Sequence, residues 1–180
     1  MNGHSVRVME YAVEAGRELG LSGESLETLR LAGLLHDIGK LYTSPLVLEK
    51  RGGLTSKEFE IVKLHPARGA DLLLQAEALP RVAGIIRHHH ERFDGTGYPD
   101  GLAGDAIPFL SRILYVADAF DSMTADRPYR KAPGKDYAIS ELRRCSGTQF
   151  DPMVVEAFLK ILRESFQPHL TARPFWPKVS

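Results

Sequence analysis

The feature that most constrains the fold is a pair of helical stretches that are apolar around most of their circumference. In residues 22–40 the apolar side chains recur too densely for a narrow amphipathic stripe; they are Leu26, Leu29, Leu31, Leu34, Leu35 and Ile38. Residues 107–125 show the same pattern. No stretch alternates apolar and polar residues with the period of a strand. The sequence therefore predicts an all-α fold, a helical bundle in which both helices are surrounded by protein.

Local signals place the other helices and one ordered loop. A first helix is predicted over 4–19. Thr55 and Glu58 have the spacing of a capping box, and Asp151 followed by proline predicts the start of a late helix. Glycines and a proline between 93 and 104 predict a structured loop. Three further helices are expected between these signals. The first ends near His65, the second ends near Gln75, and the third runs from Pro80 through the histidine run at 88–90.

Length and composition narrow the class of protein. A chain of 180 residues suits one domain, which we expect to span 1–166, with an irregular tail over 167–180. The 23 basic and 23 acidic residues balance, so no global field attracts long nucleic acid or an anionic membrane. The single cysteine, Cys145, excludes a disulfide framework and a thiolate-rich zinc site. No apolar run is long enough to span a bilayer, and we expect a soluble, cytoplasmic protein.

Ionisable residues interrupt both apolar stretches. His36 and Asp37 lie within LAGLLHDIG, and Asp118 lies within ILYVADAF. A buried carboxylate is costly unless it is paired or binds a metal. Taken singly, Asp118 could pair with Arg112 or another base, and His36 could be a core histidine with satisfied hydrogen bonds. The histidine run could be a solvated surface feature.

The adjacency of His36 and Asp37 favours a metal centre over those alternatives. On one helix their side chains project about 100° apart, so the carboxylate can bridge two metals while the imidazole binds one. His65 and the run 88–90 supply a second group of nitrogen donors. Nitrogen and oxygen donors without cysteine favour iron or manganese over structural zinc. Two divalent ions, partly neutralised by Asp37 and Asp118, leave about two positive charges to hold a phosphodiester.

The sequence resembles the HD-GYP domain, a branch of the HD phosphohydrolases. The motifs that carry the resemblance are HDIGK at 36–40, HHERFDGTGYPDGLAGDAIP at 89–108, RILYVADAFDSMTADRPYR at 112–130 and GTQFDP at 147–152. The likeness runs from His4 to about Phe158. It implies one metal ion bound by His4, His36, Asp37 and Asp118, and a second bound by Asp37, His65, His89 and His90.

The same resemblance implies a phosphodiesterase that opens cyclic di-GMP to linear pGpG, in some members continuing to GMP. A hydroxide that bridges the metals attacks the phosphorus in that family. Asp37 and Lys40 are then the catalytic residues, Lys40 by contacting the scissile phosphate. Tyr98, in the Gly-Tyr-Pro signature, is implied to lie against the substrate, and Arg127 and Arg130 to contact guanine or phosphate.

The residues leave several alternatives open for this substrate site. Lys40 could be a solvated lysine at a helix end, and Tyr98 could belong to a plain turn that only shapes the pocket. Asp121 is grouped with the substrate-binding residues, but it could instead orient a metal ligand or Arg127. The basic excess over 126–144 could be a surface patch.

The resemblance also limits the number of metals and leaves rival functions. Members with three metals carry a glutamate one turn before the first histidine, a position that would precede Met1, so two metals are implied.

One rival is an HD phosphohydrolase for another nucleotide such as cyclic GMP-AMP. Another is a catalytically silent adaptor that binds cyclic di-GMP or diguanylate cyclase-type proteins. Family members are often homodimers, but no stripe of residues here identifies an interface. His88, His169 and Cys145 carry no implied role.

Overall fold

The chain folds into helices joined by short turns and one long loop. The computed structural model of the chain describes residues 3–50, 52–77, 79–126 and 131–164. Within these ranges the α-helices are α1 (His4–Glu18), α2 (Gly23–Leu35), α3 (Pro45–Leu48), α4 (Ser56–Val62), α5 (His65–Gln75), α6 (Pro80–Arg87), α7 (Phe109–Thr124), α8 (Lys135–Arg144) and α9 (Pro152–Glu164). Two 3₁₀-helices cover Ile38–Tyr42 and Gly104–Ala106. The described residues contain no strand beyond an isolated bridge between Ser146 and Phe150. The prediction of an all-α fold is confirmed.

The core is organised around α7. Its buried residues are Ser111, Ile113, Leu114, Val116, Ala117, Phe120 and Asp121. α1 and α2 pack beside it and against each other. At their crossing a Cβ on Gly33 would lie 2.6 Å from the Met9 Cα, so the two backbones touch because Gly33 has no side chain. This packing brings the start of α1 and the end of α2 next to the middle of α7.

α2 is less buried than the sequence predicts. Its buried residues are Leu29, Ala32 and Gly33, whereas Glu24, Glu27 and Arg30 are exposed. The leucines cover a wide face, but the charged residues between them keep one side in solvent. The prediction that both apolar helices are surrounded by protein therefore holds for α7 and is wrong for α2.

Helix boundaries follow the local sequence signals at most ends. The capping box is formed, since the Glu58 carboxylate accepts a hydrogen bond from the Thr55 N–H at 2.7 Å and Thr55 Oγ1 accepts one from the Glu58 N–H. Asp151 accepts a hydrogen bond from the Met153 N–H at the start of α9. α6 ends at Arg87, before the histidine run that was expected to continue it. α8 was not predicted, because it is mostly polar and buries only Ala138 and Leu142.

Two glycines allow backbone contacts that bring distant segments together. A Cβ on Gly39 would overlap the His65 carbonyl oxygen and lie 2.6 Å from the Gly69 nitrogen. The 3₁₀-helix Ile38–Tyr42 therefore lies directly against the start of α5. A Cβ on Gly97 would overlap the Arg92 nitrogen, so the loop after α6 folds back on its own beginning. Both contacts are between backbones, and a side chain at either position requires a backbone shift.

Two sequence-based expectations concern a membrane span and the C-terminal boundary of the domain. Within the described residues, no helix has both the length and the apolar character needed to cross a bilayer. The expected boundary at 166 and the tail over 167–180 lie outside the described residues, as do Arg127, Arg130 and His169.

Candidate metal centre

The first cluster of potential ligands joins α1, the end of α2 and α7. His4 opens α1, His36 directly follows α2, and Asp118 lies in the middle of α7. The Nε2 atoms of His4 and His36 lie 3.3 and 3.9 Å from the same oxygen, Asp118 Oδ1. Ligand atoms of these three residues all lie within 4.8 Å of one another. Two imidazoles and a carboxylate form a donor set suited to a transition metal.

The second cluster contains imidazoles alone. His65 is the first residue of α5, and His89 and His90 follow the end of α6. The ring centroid of His65 lies 5.3 Å from that of His89 and 5.1 Å from that of His90, and the latter two are 4.1 Å apart. Their ligand atoms also lie within 4.8 Å of one another. The histidine run is therefore turned into the protein, and its interpretation as a solvated surface feature is wrong for His89 and His90.

Asp37 lies between the clusters and faces both. Its Oδ2 is 3.9 Å from His4 Nε2 and 3.7 Å from His36 Nε2. Its Oδ1 is 3.5 Å from His65 Nε2. A carboxylate that presents one oxygen to each group of nitrogens has the arrangement needed to bridge a pair of cations.

Within the described part of the chain, three ring nitrogens of the clusters have no hydrogen-bond partner. The Nδ1–H groups of His36, His65 and His89 donate to main-chain carbonyls three residues earlier, at 2.8, 2.8 and 2.6 Å. These bonds fix the rings and turn each Nε2 inward. The three Nε2 atoms are buried, and none of them has a hydrogen-bond partner among the described residues. Since buried polar atoms are normally paired, this group of orphaned nitrogens fits metal ions as the missing partners.

Burial keeps the second cluster neutral. It lowers the pKa of His65 and of His89, the latter well below its usual value. It lowers the pKa of His90 to about 4. Neutral imidazole is the form that binds a metal ion, so these nitrogens are available as ligands throughout the neutral range.

In the first cluster and in Asp37, by contrast, hydrogen bonds and neighbouring charges stabilise the charged forms. Hydrogen bonds with Asp118 and Asp121 raise the pKa of His4 to about 9. Burial favours the neutral form of Asp118, but the His4 hydrogen bond and nearby imidazoles hold its pKa well below the usual value. Burial of Asp37 is likewise outweighed, by His36 and Lys40, and its pKa is lowered. Both carboxylates are therefore ionised at neutral pH, as metal ligands must be.

The prediction that His36 and Asp37 lie within one helix is wrong in detail. α2 ends at Leu35, and the chain tightens into the 3₁₀-helix Ile38–Tyr42 with Asp37 as its cap. Residues three apart lie above one another in a 3₁₀-helix. Lys40 therefore contacts Asp37, with Nζ 2.7 Å from Oδ2. The interpretation of Lys40 as a solvated lysine is wrong, because its ammonium reaches the centre.

Comparison with known families identifies the fold of this site. The model of the HD domain matches residues 1–154, which include every potential ligand described above. The chain belongs to the HD domain family. The resemblance inferred from the sequence motifs is thereby confirmed at the level of this family.

Curated relatives of this HD domain include enzymes for cyclic dinucleotides. The chain is 44% identical over 160 residues to the cyclic di-GMP phosphodiesterase PA4108 of Pseudomonas aeruginosa, covering 87% of this chain and 38% of the relative. It is 42% identical to the cyclic di-GMP phosphodiesterase response regulator RpfG of Xanthomonas campestris pv. campestris, covering 86% and 41%. It is 40% identical to the 3'3'-cGAMP-specific phosphodiesterase 3 of Vibrio cholerae, covering 89% and 35%. The chain thus spans about two fifths of the length of these relatives.

Solved structures support the HD fold. The HDG"Y"P protein Bd1817 from Bdellovibrio bacteriovorus superposes with a TM-score of 0.73 at 23% identity, covering 89% of this chain and 51% of that chain. A cyclic GMP-AMP specific phosphodiesterase of V. cholerae, V-cGAP3, superposes with a TM-score of 0.70 at 24% identity, covering 91% and 44%. At these identities the likeness concerns the fold alone.

The loop after the histidine run places Tyr98 beside the second cluster of the HD site. Its ring centroid lies 5.0 Å from that of His90, with the planes tilted by 34°. Burial raises the pKa of Tyr98, so the phenol stays protonated. The ring thus covers one side of His90.

Glu91 is a residue of this HD domain whose role the sequence analysis missed. Its buried carboxylate accepts three hydrogen bonds from the loop backbone, from the N–H groups of Asp100, Gly101 and Leu102 at 2.7, 3.1 and 3.1 Å. His88 contributes as well, since its Nε2 lies 2.9 Å from Asp100 Oδ2. The sequence signal was a carboxylate directly after the histidine run, and only the fold reveals what it binds.

Two further sequence-based expectations concern residues around α7. Asp121 contacts His4 and Arg7, which favours the orienting role over contact with substrate. Arg112 pairs with Asp151 at 2.7 Å and with Asp105 at 2.9 Å. The alternative that Arg112 neutralises Asp118 is therefore wrong.

Proposed function

We propose that this HD domain is a metal-dependent phosphodiesterase that hydrolyses cyclic di-GMP to pGpG, continuing to GMP if the linear product binds again. The observation that carries the proposal is the position of Asp37, whose oxygens face separate groups of histidines at 3.5 to 3.9 Å. Relatives at 42 to 44% identity that bear the name cyclic di-GMP phosphodiesterase support the substrate class.

The proposed ligands divide into two sets that share one carboxylate. The first set is His4, His36, Asp118 and Asp37, and the second is His65, His89, His90 and Asp37. A pair of divalent ions, which we propose to be iron or manganese from the nitrogen and oxygen donors, supplies Lewis acidity that activates water and polarises a phosphoryl oxygen. The orphaned Nε2 atoms of the buried histidines support this division.

The remaining catalytic role is assigned to Lys40. Its ammonium lies 2.7 Å from Asp37, and its side chain is 27% exposed, so it reaches from the interior to the open side of the site. We propose that it places a positive charge on the scissile phosphate and stabilises the charge that develops there. Lys40 lies three residues after Asp37 in the 3₁₀-helix, and this spacing keeps its ammonium beside the proposed metal ligand Asp37.

The substrate-binding role is assigned to Tyr98, Arg127 and Arg130. The Tyr98 ring lies against His90 and offers an aromatic face on which a guanine can stack. Arg127 and Arg130 are proposed to contact guanine or phosphate, and they lie outside the described residues. This division gives the scissile phosphate to Lys40, base stacking to Tyr98, and contact with guanine or phosphate to the two arginines.

A second candidate substrate is 3'3'-cGAMP. The observation that favours it is the relative of V. cholerae that is 40% identical and named a 3'3'-cGAMP-specific phosphodiesterase. Both substrates contain the same phosphodiester, so the metal ligands do not separate them. A catalytically silent adaptor is the weaker alternative, since the described residues include two groups of three side chains that could each hold a metal ion.

We further propose the cytoplasm as the place of action, because a chain with one cysteine suits a reducing compartment. Association with diguanylate cyclase-type proteins and formation of a homodimer are proposals that rest on the family resemblance. Cross-linking of the purified protein with and without a cyclase tests both.

The proposal predicts that Asp37→Ala removes both metal ions together with the activity. The wild type, loaded with Fe²⁺ or Mn²⁺ under reducing conditions, is expected to bind about two ions per chain and to convert cyclic di-GMP to pGpG. Asp37→Ala removes the carboxylate that faces both histidine groups, so neither ion is retained. Metal content is measured by elemental analysis after gel filtration, and product by chromatography.

Asp71→Ala is the matched control, because Asp71 is an exposed carboxylate on α5 and is expected to leave metal content and turnover unchanged. If Asp37→Ala kept both ions, the bridging assignment would be wrong. Bound metal without turnover of any cyclic dinucleotide would favour the adaptor. Turnover of 3'3'-cGAMP with no turnover of cyclic di-GMP would favour the second substrate.

A further inference from the structure

The histidines of the site differ in how their rings are held. His36, His65 and His89 donate from Nδ1 to main-chain carbonyls of their own turns. His4 instead has its Nδ1 2.7 Å from the side-chain oxygen Oδ2 of Asp121, which lies 117 residues away in the sequence. A main-chain carbonyl is fixed by the helix, whereas a carboxylate rotates about its side-chain bonds. The orientation of His4 therefore depends on what holds Asp121.

Arg7 holds Asp121 through two hydrogen bonds. Its Nε lies 2.6 Å from Asp121 Oδ1, and its Nη2 lies 3.0 Å from Oδ2. A planar guanidinium that binds both oxygens fixes the plane of the carboxylate as well as its position. The Asp121 side chain is 3% exposed and that of Arg7 is 40% exposed, so the ion pair runs from the interior to the solvent.

The pairing follows from the positions of these residues on facing helices. His4 and Arg7 are three residues apart on α1, and Asp118 and Asp121 are three residues apart on α7. Residues at this spacing share one face of a helix, and α1 packs against α7. One turn of α1 therefore meets one turn of α7 through His4–Asp118 and Arg7–Asp121.

We propose that Arg7 is a positioning residue for the first metal ion. It clamps Asp121, which holds the Nδ1 of His4 so that Nε2 faces Asp118 and Asp37. The inference rests on the proposed function, because it assumes that His4 is a metal ligand. Among the described contacts, neither Arg7 nor Asp121 touches His65, His89 or His90. Loss of Arg7 is therefore expected to weaken one ion and to spare the other.

The test measures bound Mn²⁺ in Arg7→Met, Asp121→Ala and the double variant. In Asp121→Ala the affinity of one ion is expected to fall about 10- to 100-fold, the usual effect of losing a partner of a metal ligand, while the second ion is retained. In Arg7→Met the affinity for the same ion is expected to fall by about tenfold, the lower end of that range, because the carboxylate is still present but is no longer fixed. The double variant is expected to be no weaker than Asp121→Ala, because Arg7 acts through that carboxylate. Elemental analysis and competition with a chelator give stoichiometry and affinity.

Arg17→Met is the matched control, since Arg17 is an exposed arginine on the same helix and is expected to bind Mn²⁺ like the wild type. A folded Arg7→Met with wild-type affinity for both ions overturns the proposal. Losses that add in the double variant overturn it too, because Arg7 would then act independently of Asp121. If circular dichroism shows that Arg7→Met does not fold, Arg7→Gln is measured instead, and the same outcomes decide.

The readout separates this inference from the proposed activity. A wild type that binds two ions but leaves cyclic di-GMP intact contradicts the activity, while a selective loss of one ion in Arg7→Met still supports the role of Arg7. Normal turnover with unchanged metal binding in Arg7→Met contradicts the role of Arg7 alone.

Discussion

At the scale of single residues, the protonation of His4 differs from that of the histidines in the second cluster. Hydrogen bonds with Asp118 and Asp121 raise its pKa to about 9, whereas burial lowers the pKa of His90 to about 4. In the metal-free protein at pH 7, His4 is therefore protonated and His90 is neutral. A ligand nitrogen must be unprotonated, so only the first cluster has to lose a proton before it can bind.

This difference predicts that metal binding releases about one proton per chain at pH 7. The part of this release that comes from His4 should disappear as the pH rises through about 9, because His4 is then already neutral in the metal-free protein. Calorimetric titration with Mn²⁺ in two buffers of different ionisation enthalpy measures the number of protons. Equal heats in both buffers at pH 7 would contradict the prediction.

At the scale of elements, the contact between the 3₁₀-helix Ile38–Tyr42 and α5 sets the distance between Asp37 and His65. Gly39→Ala places a Cβ against the His65 carbonyl oxygen. We expect it to lower the stability of the metal-free protein by about 1–3 kcal/mol, the usual cost of overpacking. The shift also moves Asp37 away from His65, so binding of the second ion weakens. Chemical denaturation and metal analysis measure the two effects.

Gly84→Ala is the control for this substitution, because a Cβ there meets no heavy atom of the described residues within 4 Å. It lies inside α6 and is expected to raise stability by about 0.5–1 kcal/mol through the helix preference of alanine. If Gly39→Ala were as stable as Gly84→Ala, the 3₁₀-helix would not be fixed by this contact.

The loop that presents Tyr98 depends on Glu91. In Glu91→Gln an amide NH₂ replaces one oxygen that accepts backbone N–H groups, and the loss of buried hydrogen bonds costs about 1–3 kcal/mol locally. We expect KM for cyclic di-GMP to rise by about tenfold, which corresponds to about 1.4 kcal/mol, while metal content stays unchanged. Steady-state kinetics and elemental analysis separate these effects.

Glu49→Gln, at an exposed glutamate, should change neither quantity and serves as the control. Loss of metal from Glu91→Gln would show that the glutamate supports the histidines instead of the loop.

At the scale of the whole molecule, a buried ion pair joins α7 to the start of α9. The side chains of Arg112 on α7 and Asp151 before α9 are 10% and 4% exposed, and they lie 2.7 Å apart. Arg112→Met leaves the Asp151 carboxylate without its cation, which typically costs about 3–5 kcal/mol. Urea unfolding of the metal-free protein measures the loss.

The same arginine has an exposed partner that provides the comparison. Asp105 is 95% exposed, and Asp105→Asn is expected to change stability by less than about 1 kcal/mol, as for most surface ion pairs. Similar losses in Arg112→Met and Asp105→Asn would contradict the role of the buried pair.

The sequence by itself determined the helices with clear local signals and the donor types of the centre. The capping box of Thr55 and Glu58 and the proline start of α9 formed as predicted, because these signals act within a few residues. It could not determine how exposed α2 is, nor that α2 ends before His36, because both depend on packing. α8 escaped prediction because its few apolar residues are buried only by tertiary contacts.

Only the tertiary structure decided how the donors are grouped. The packing of α1 on α7 brings His4 to Asp118, and the contact of Gly39 with α5 brings Asp37 to His65. The partner of His4 Nδ1, Asp121, lies 117 residues away, beyond the reach of any local pattern. The sequence gives the chemistry of each side chain, whereas the distances that make two clusters share one carboxylate arise from helix packing, which is a property of the folded chain.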